Sequence, residues 1–345
     1  MKSFDGFMRG VDFGGWLSQC SEYTTEHYKT FITKEDFKTV AEWGLDHIRL
    51  PVDYMVFQNP DGSFIEEGFG YVQNAIEWCK EYNLNVILDL HKTMGYTFDV
   101  EYKGDGFFDD EKLQSYFYAL WEEFTKRFSK YEPMIAFELL NEVTLPSLSD
   151  KWNEIAKNVI QRIRKTAPTI KILVGGYWNN SIDALKDLDK PFDENIVYNF
   201  HCYEPFLFTH QGAGWVGNMS RDFRMDYPCN YENYNKIAKE SNFTDFMIYA
   251  PNGDKKAVDA DYFINRFNQG LEVCRKRDVQ LYCGEYGVID NAKPEQTLQW
   301  YKDISAAFNE CKIGRACWSY KSMSFGLRDE HMKPVIEELI KVLKS

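Results

Sequence analysis

Eight short apolar runs recur along this chain, at residues 8–13, 47–52, 85–91, 135–142, 171–176, 195–201, 279–285 and 315–320, with longer amphipathic stretches between them. Several are apolar at nearly every position, as in Asn85-Val86-Ile87-Leu88-Asp89-Leu90. A strand of that kind must be covered on both faces, which is the condition of a parallel sheet. The intervening stretches carry helix signals. Thr33-Lys34-Glu35-Asp36 resembles a capping box, Phe37, Val40 and Ala41 share a face, and Gly44 is placed to end the helix. Leu113, Phe117, Leu120, Trp121, Phe124 and Phe128 form a core-facing stripe. The same spacing recurs from Trp152 to Ile163 and from Phe263 to Cys274, and Pro294 suits a first helical turn.

Eight strands alternating with helices predict an α/β fold, a single (β/α)8 TIM barrel. An open doubly wound sheet is the alternative, but no Gly-x-Gly-x-x-Gly follows the first strand. The 345 residues would also accommodate two domains, and the barrel makes one sufficient. The spacing breaks once, over residues 203–258, which are rich in aromatic and polar side chains. Following strand six, this insertion is expected to form a small subdomain on the catalytic rim.

With 40 Lys+Arg against 53 Asp+Glu the net charge is −13, which argues against nucleic acid as a partner. No apolar stretch approaches the ~18 residues of a membrane span. Met1-Lys2-Ser3-Phe4-Asp5 lacks the apolar segment of an export signal. The expectation is a monomer, cytoplasmic as written and secreted if a signal has been removed. Eight scattered cysteines without a C-x-x-C pair read as small buried hydrophobes in a reducing compartment, so neither metal nor cofactor is expected. N-x-[ST] matches at Asn179, Asn218 and Asn242 are short enough to arise by chance.

In such a barrel the reacting groups project from the C-terminal ends of strands. The polar residues there are Arg49, His91, Asn141, Glu142, His201, Tyr203 and Glu285, with Trp318 after the last strand. Glu142 and Glu285 could face each other across the mouth. Two carboxyls with an aromatic platform suit glycosidic-bond cleavage, in which one donates a proton and the other stays anionic. Burial raises one proton affinity, while donors such as Tyr203 and Arg49 keep the other carboxylate ionised. Glu138, on the face of Glu142, reads as charge-paired inside the barrel. Trp16, Trp178 and Trp215 are candidate outer sugar platforms, with packing as the alternative.

At these residues the chain resembles glycoside hydrolase family 5, the cellulase family of the 4/7 superfamily of retaining barrel glycosidases. The likeness spans nearly the whole chain. It rests most specifically on Ile135-Ala136-Phe137-Glu138-Leu139-Leu140-Asn141-Glu142-Val143 and on Leu281-Tyr282-Cys283-Gly284-Glu285-Tyr286-Gly287-Val288. Gly14-Gly15-Trp16-Leu17-Ser18-Gln19, Asn199-Phe200-His201 and the insertion look closest to the clostridial endoglucanase C type. The resemblance implies Glu142 as acid/base, Glu285 as nucleophile and Asn141 on the sugar 2-hydroxyl. It also implies Arg49, His91, His201, Tyr203 and Trp318 around the reacting sugar. Val143 departs from the proline many relatives carry there.

The expected activity is retaining endo-β-1,4-glucanase action on soluble β-glucans, with mixed-linkage glucan also open. Exo-acting β-glucanase, β-glucosidase and β-mannanase activities stay as alternatives on the same scaffold. From other classes come a metal-dependent hydrolase using Asp89, His91, His201 and a glutamate, and a carbohydrate-binding barrel without catalysis.

Overall fold

The apolar runs become parallel strands β1 (Arg9–Asp12), β2 (His47–Asp53), β3 (Asn85–Lys92), β4 (Ile135–Glu138), β5 (Lys171–Gly175), β6 (Ile196–Cys202), β7 (Gln280–Tyr286) and β8 (Gly314–Cys317). Each pairs with its sequence neighbours, and β1 pairs with β8, so the sheet closes into a barrel. The computed structural model describes residues 3–99, 106–251, 253 and 255–345; residues 1–2, and positions 252 and 254 of the 203–258 stretch, lie outside the described residues.

Helices Lys34–Glu42, Glu66–Glu81, Glu111–Phe128, Ser149–Arg164, Ala260–Arg277 and Pro294–Cys311 follow strands β1, β2, β3, β4, β6 and β7, and Ile336–Leu343 closes the chain. Between β5 and β6 the place of a long helix is taken by a 3-10 run, Ile182–Asp187. The capping box forms: Asp36 Oδ2 accepts the Thr33 backbone N–H at 2.8 Å, and Gly44 takes φ +79° just past the helix. Asp36 Oδ1 also accepts from the Tyr320 hydroxyl at 3.0 Å, which ties this helix start to the loop after β8.

Strands β4 and β8 stop well short of the ends of their apolar runs, at Glu138 and Cys317. Past Glu138 the backbone leaves its ladder, with Leu139 N–H donating to Leu173 O on β5 (3.2 Å) and Asn141 N–H to Leu90 O on β3 (3.1 Å). Glu142 and Trp318 therefore stand on the segments that open from the strand ends.

The barrel interior is layered. Phe4, Phe7, Ile87, Ala136, Leu173, Val197, Tyr282 and Ala316 form an apolar plug toward the N-terminal ends of the strands. Above it the inward positions become charged. The stretch 203–258 runs through a short turn, Phe206–Thr209, and a helix, Tyr231–Glu240. Its Leu207, Phe208, Tyr227, Tyr231, Tyr234 and Phe243 are buried in one core with the barrel helices. Among the described residues no helix is long and apolar enough to cross a membrane. The eight cysteines are free thiols, six of them buried.

Candidate active site

A pleated strand sends alternate side chains inward. In β2 this puts His47 and Arg49 inside, in β3 Ile87, Asp89 and His91, and in β4 Ala136 and Glu138. Strand β7 breaks the rule usefully. Tyr282 points in, so simple alternation would turn Glu285 outward. The register with β6 slips at this point, Phe200 pairing with Cys283 and His201 with Glu285, so Gly284 is the extra residue of a bulge and Glu285 faces the barrel axis. A Cβ on Gly284 would stand 2.8 Å from the Asn199 amide and 3.0 Å from His201 Nε2, and glycine is the residue that leaves both in place.

Arg49 is the hub beneath the mouth. Its Nε and Nη2 grip Glu138 at 2.7 and 2.8 Å, and Nη2 also reaches Asp89 (3.0 Å) and Asn141 Oδ1 (2.8 Å). Its Nη1 reaches Asp12 (3.3 Å) and Glu285 Oε1 (2.8 Å). One guanidinium cannot neutralise this many buried carboxyls. Burial accordingly pushes the proton affinities of Asp12, Asp89 and Glu138 up against the pull of Arg49. Arg49 is itself 0% exposed, which corrects the expectation that it contacts sugar: it acts on Glu285, Glu138 and Asn141 from below.

The two glutamates meet above this hub, with a carboxylate oxygen of Glu142, a carboxylate oxygen of Glu285 and a ring nitrogen of His201 all within 4.8 Å of one another. Their surroundings differ. Glu285 accepts from Arg49 at Oε1 and from the Tyr203 hydroxyl at Oε2 (2.8 Å), two donors that stabilise negative charge. Burial and the neighbouring Glu285 charge keep the Tyr203 phenol protonated. Glu142 accepts from His201 Nδ1 (2.8 Å) and Asn179 Nδ2 (2.7 Å), both neutral. Burial raises the Glu142 proton affinity, opposed by the Asn179 hydrogen bond. Burial also lowers His201 to about 4, so its ring is uncharged near neutrality.

His91 donates to or accepts from Asp89 at 2.6 Å and lies parallel to Trp318, ring centroids 5.5 Å apart. Trp318 packs over Gly14, where a Cβ would stand 2.8 Å from the indole. Trp178 and Trp215 are 57% and 50% exposed, the first beside Asn179 and the second against Phe325, which also packs with Trp318. Trp16 is corrected to packing. It is 1% exposed, donates its indole N–H to Tyr28 O at 2.8 Å and packs between Phe37 and Trp78, so no sugar can reach its face.

Three residues at the site escaped the sequence reading. Asn179 and Asn180 follow an apolar strand in a stretch whose only pattern was a glycosylation-type triplet, and their backbone turn has no sequence period to betray it. Tyr96, whose hydroxyl donates to Glu142 O at 2.8 Å, comes from the long β3 loop.

A metal centre fits poorly here. Asp89 and His91 turn to Arg49 and to each other, not to His201. Among the described residues the acidic and histidine donors that converge are Glu142, His201 and Glu285, and both oxygens of each glutamate already accept from protein donors. A divalent ion would also sit against the Arg49 guanidinium.

Comparison with known proteins places this geometry in context. The family model described as cellulase, glycosyl hydrolase family 5, matches residues 10–324. Cellodextrinase A of Ruminococcus flavefaciens is 41% identical over 312 residues, covering 90% of this chain and 85% of the relative. Endoglucanase C of Acetivibrio thermocellus is 38% identical over 340 residues, covering 98% of each. Among solved structures, a hyperthermophilic endo-β-1,4-glucanase in complex with substrate superposes with a TM-score of 0.78 at 23% identity, covering 98% of this chain and 97% of that one, a likeness of fold.

Proposed function

The chain belongs to the cellulase family, glycosyl hydrolase family 5, and from that premise we propose that it is a retaining endo-β-1,4-glucanase acting as a single chain on soluble β-glucans. The observation that carries the mechanism is that an oxygen of Glu142 and an oxygen of Glu285 lie within 4.8 Å of each other. Retaining pairs stand about 5–5.5 Å apart and inverting pairs about 6.5–9.5 Å, because only the latter must admit a water between the base and the anomeric carbon.

In the first step Glu142 protonates the glycosidic oxygen while Glu285 attacks the anomeric carbon from the opposite face. The C–O bond to the leaving sugar breaks as the bond to Glu285 forms. As charge on Glu285 is consumed, Arg49 and Tyr203 relax their hold. In the second step ionised Glu142 takes a proton from water, whose oxygen displaces Glu285 and regenerates both carboxyls. Asn141, anchored by Arg49 through its Oδ1, is placed to offer its amide N–H to the 2-hydroxyl. Trp318 offers the apolar surface that a β-glucoside's axial C–H face requires.

The substrate assignment is supported by two relatives, one named endoglucanase and the other cellodextrinase. Exposed Trp178, next in the chain to the Asn179 that donates to Glu142, supplies one platform for sugar, and exposed Trp215, against the Phe325 that packs with Trp318, a second. Platforms beyond the cleaved unit favour internal cleavage of a chain over removal of a terminal glucose. Proton NMR of cello-oligosaccharide hydrolysis should show the β-anomer as the first product; an initial α-anomer sinks the double displacement. Glu285→Ala should remove turnover while sugar binding persists. Products from carboxymethyl-cellulose, barley glucan and glucomannan should be mixed oligosaccharides on the first two, and release of glucose alone would overturn the endo assignment. Mixed-linkage glucan enters as a second substrate on the strength of this cleft chemistry, which reads the sugar face more than the neighbouring linkage.

A further inference from the structure

Beyond β5 the chain runs Gly175-Gly176-Tyr177-Trp178-Asn179-Asn180-Ser181. Three consecutive non-glycine residues there, Trp178, Asn179 and Asn180, take left-handed backbone angles, with φ of 49°, 55° and 56°. Asparagine visits this region readily and tryptophan rarely, so such a run persists only where its surroundings over-determine it. The surroundings do so. Asn179 N–H donates to Val143 O at 3.0 Å, next to Glu142, and Ser181 N–H donates back to Tyr177 O at 3.1 Å. Gly175 leaves room for the Asn180 side chain, whose Oδ1 lies 2.1 Å from where a Cβ would stand.

The two asparagine side chains of this turn end at the acid/base and at the imidazole that holds it. Asn179 Nδ2 donates to Glu142 Oε2 at 2.7 Å. Asn180 Nδ2 donates to Asn141 O and lies 3.3 Å from His201 Nε2. An amide nitrogen can only donate, so Nε2 accepts and the ring proton sits on Nδ1, which faces Glu142 Oε1 at 2.8 Å. One oxygen is thus held directly and the other through an imidazole whose tautomer the turn selects.

We propose that the Trp178-Asn179-Asn180 turn aims the general acid/base, Asn179 as a positioning residue for Oε2 and Asn180 as the residue that sets the His201 ring form holding Oε1. The proposal rests on the reading of Glu142 as acid/base. A carboxyl gripped at both oxygens cannot rotate, and its proton is confined to the lone-pair direction that opens on the cleft. When the proton leaves for the glycosidic oxygen, two oriented donors already face the new anion. The N-x-S match at Asn179 is then site chemistry, since its amide is committed to Glu142.

Asn179→Gly is the direct test, because glycine is at ease at this backbone angle while the amide is lost. Its kcat/KM on cello-oligosaccharides should fall ~10–100-fold, a fraction of what a general acid supplies. With a dinitrophenyl β-cellobioside, whose leaving group needs little protonation, kcat/KM should stay within roughly 3-fold. Asn179→Asp keeps shape and left-handed preference but replaces the donor by an acceptor, and should lose at least as much on oligosaccharides. Equal losses on both substrates, or an Asp variant near the parent rate, would overturn the proposal. Glu142→Ala is run alongside. If it also fails to discriminate between the substrates, the acid/base reading falls and takes the proposal with it; if it discriminates and Asn179→Gly does not, only the proposal falls. A readout free of activity is the 15N shift pattern of the His201 ring. It should report Nδ1–H in the parent and Nε2–H in Asn180→Asp, and an unchanged tautomer overturns the part assigned to Asn180.

Discussion

At the scale of single residues, the two glutamates illustrate how chemically identical groups receive different surroundings. Glu285 is met by a guanidinium and a phenol, Glu142 by an imidazole and an amide. A buried carboxyl answered only by neutral donors resists ionisation, which suits a proton donor and costs the fold stability. With its proton affinity raised by burial, Glu142 binds more proton in the folded than in the unfolded chain above the ordinary carboxyl range. Its contribution to stability therefore falls as pH rises through that window. Glu142→Gln removes the titration and keeps the shape, although its amide nitrogen must face one of the two donors, a cost that does not vary with pH. Its melting temperature relative to the parent's should therefore rise by roughly 1–3 °C from pH 4 to pH 7.5. Calorimetry at the two pH values checks this, and a relative value that rises toward acid instead would contradict the burial argument. The same raised affinity places the alkaline limb of kcat/KM above that of an ordinary carboxyl group.

At the scale of elements, the site depends on where regular structure stops. Strand β4 ends at Glu138, four residues short of Glu142, and the freed backbone is shared between β3 and β5. Strand β7 bulges at Gly284, and if the strand ran on in regular alternation through that residue Glu285 would face the helices. Gly284→Ala tests this directly. The added methyl meets the Asn199 amide and His201 Nε2, so both must shift by tenths of an ångström. Overpacking of this kind costs ~1–3 kcal/mol, and a slight misplacement of reacting groups can lower kcat ~100-fold. Thermal unfolding and kcat on soluble glucan should both drop, and a variant with normal kcat would show that the bulge has slack. The 203–258 stretch adds another element-level link. His210 within it packs edge-on against Tyr203, centroids 5.0 Å apart, and Phe325 braces the same ring at 5.8 Å. The phenol that donates to Glu285 is thus steadied by the insertion as well as by the barrel.

At the scale of the whole molecule, net charge and substrate charge interact. A chain of charge −13 should repel anionic carboxymethyl-cellulose and ignore neutral cello-oligosaccharides. Raising ionic strength from 0.01 to 0.15 M shortens the screening length from about 30 to 8 Å. The kcat/KM on the anionic polymer should rise and that on the neutral oligosaccharide stay flat; parallel responses would point to a local basic cleft instead. Exhaustive chelation should leave activity untouched, since the Glu142 and Glu285 oxygens are already held by protein donors. Much of this molecule is legible in its sequence. Eight continuous apolar runs required strands buried on both faces, and polar residues breaking those runs at their C-terminal ends marked the mouth of the barrel. Period, propensity and polarity are local properties, so one chain suffices to read them. The rest needed three dimensions. That Arg49 lies beneath the Glu142–Glu285 pair, that Trp16 is sealed by Trp78 and Phe37, and that Asn179 reaches Glu142 across a left-handed turn depend on which segments meet in space. A bulge at one glycine likewise leaves alternation readable in sequence yet reverses the face on which Glu285 stands. Sequence determined the barrel and the residue types at its rim, and packing alone decided which of them face one another closely enough to share a proton or a charge.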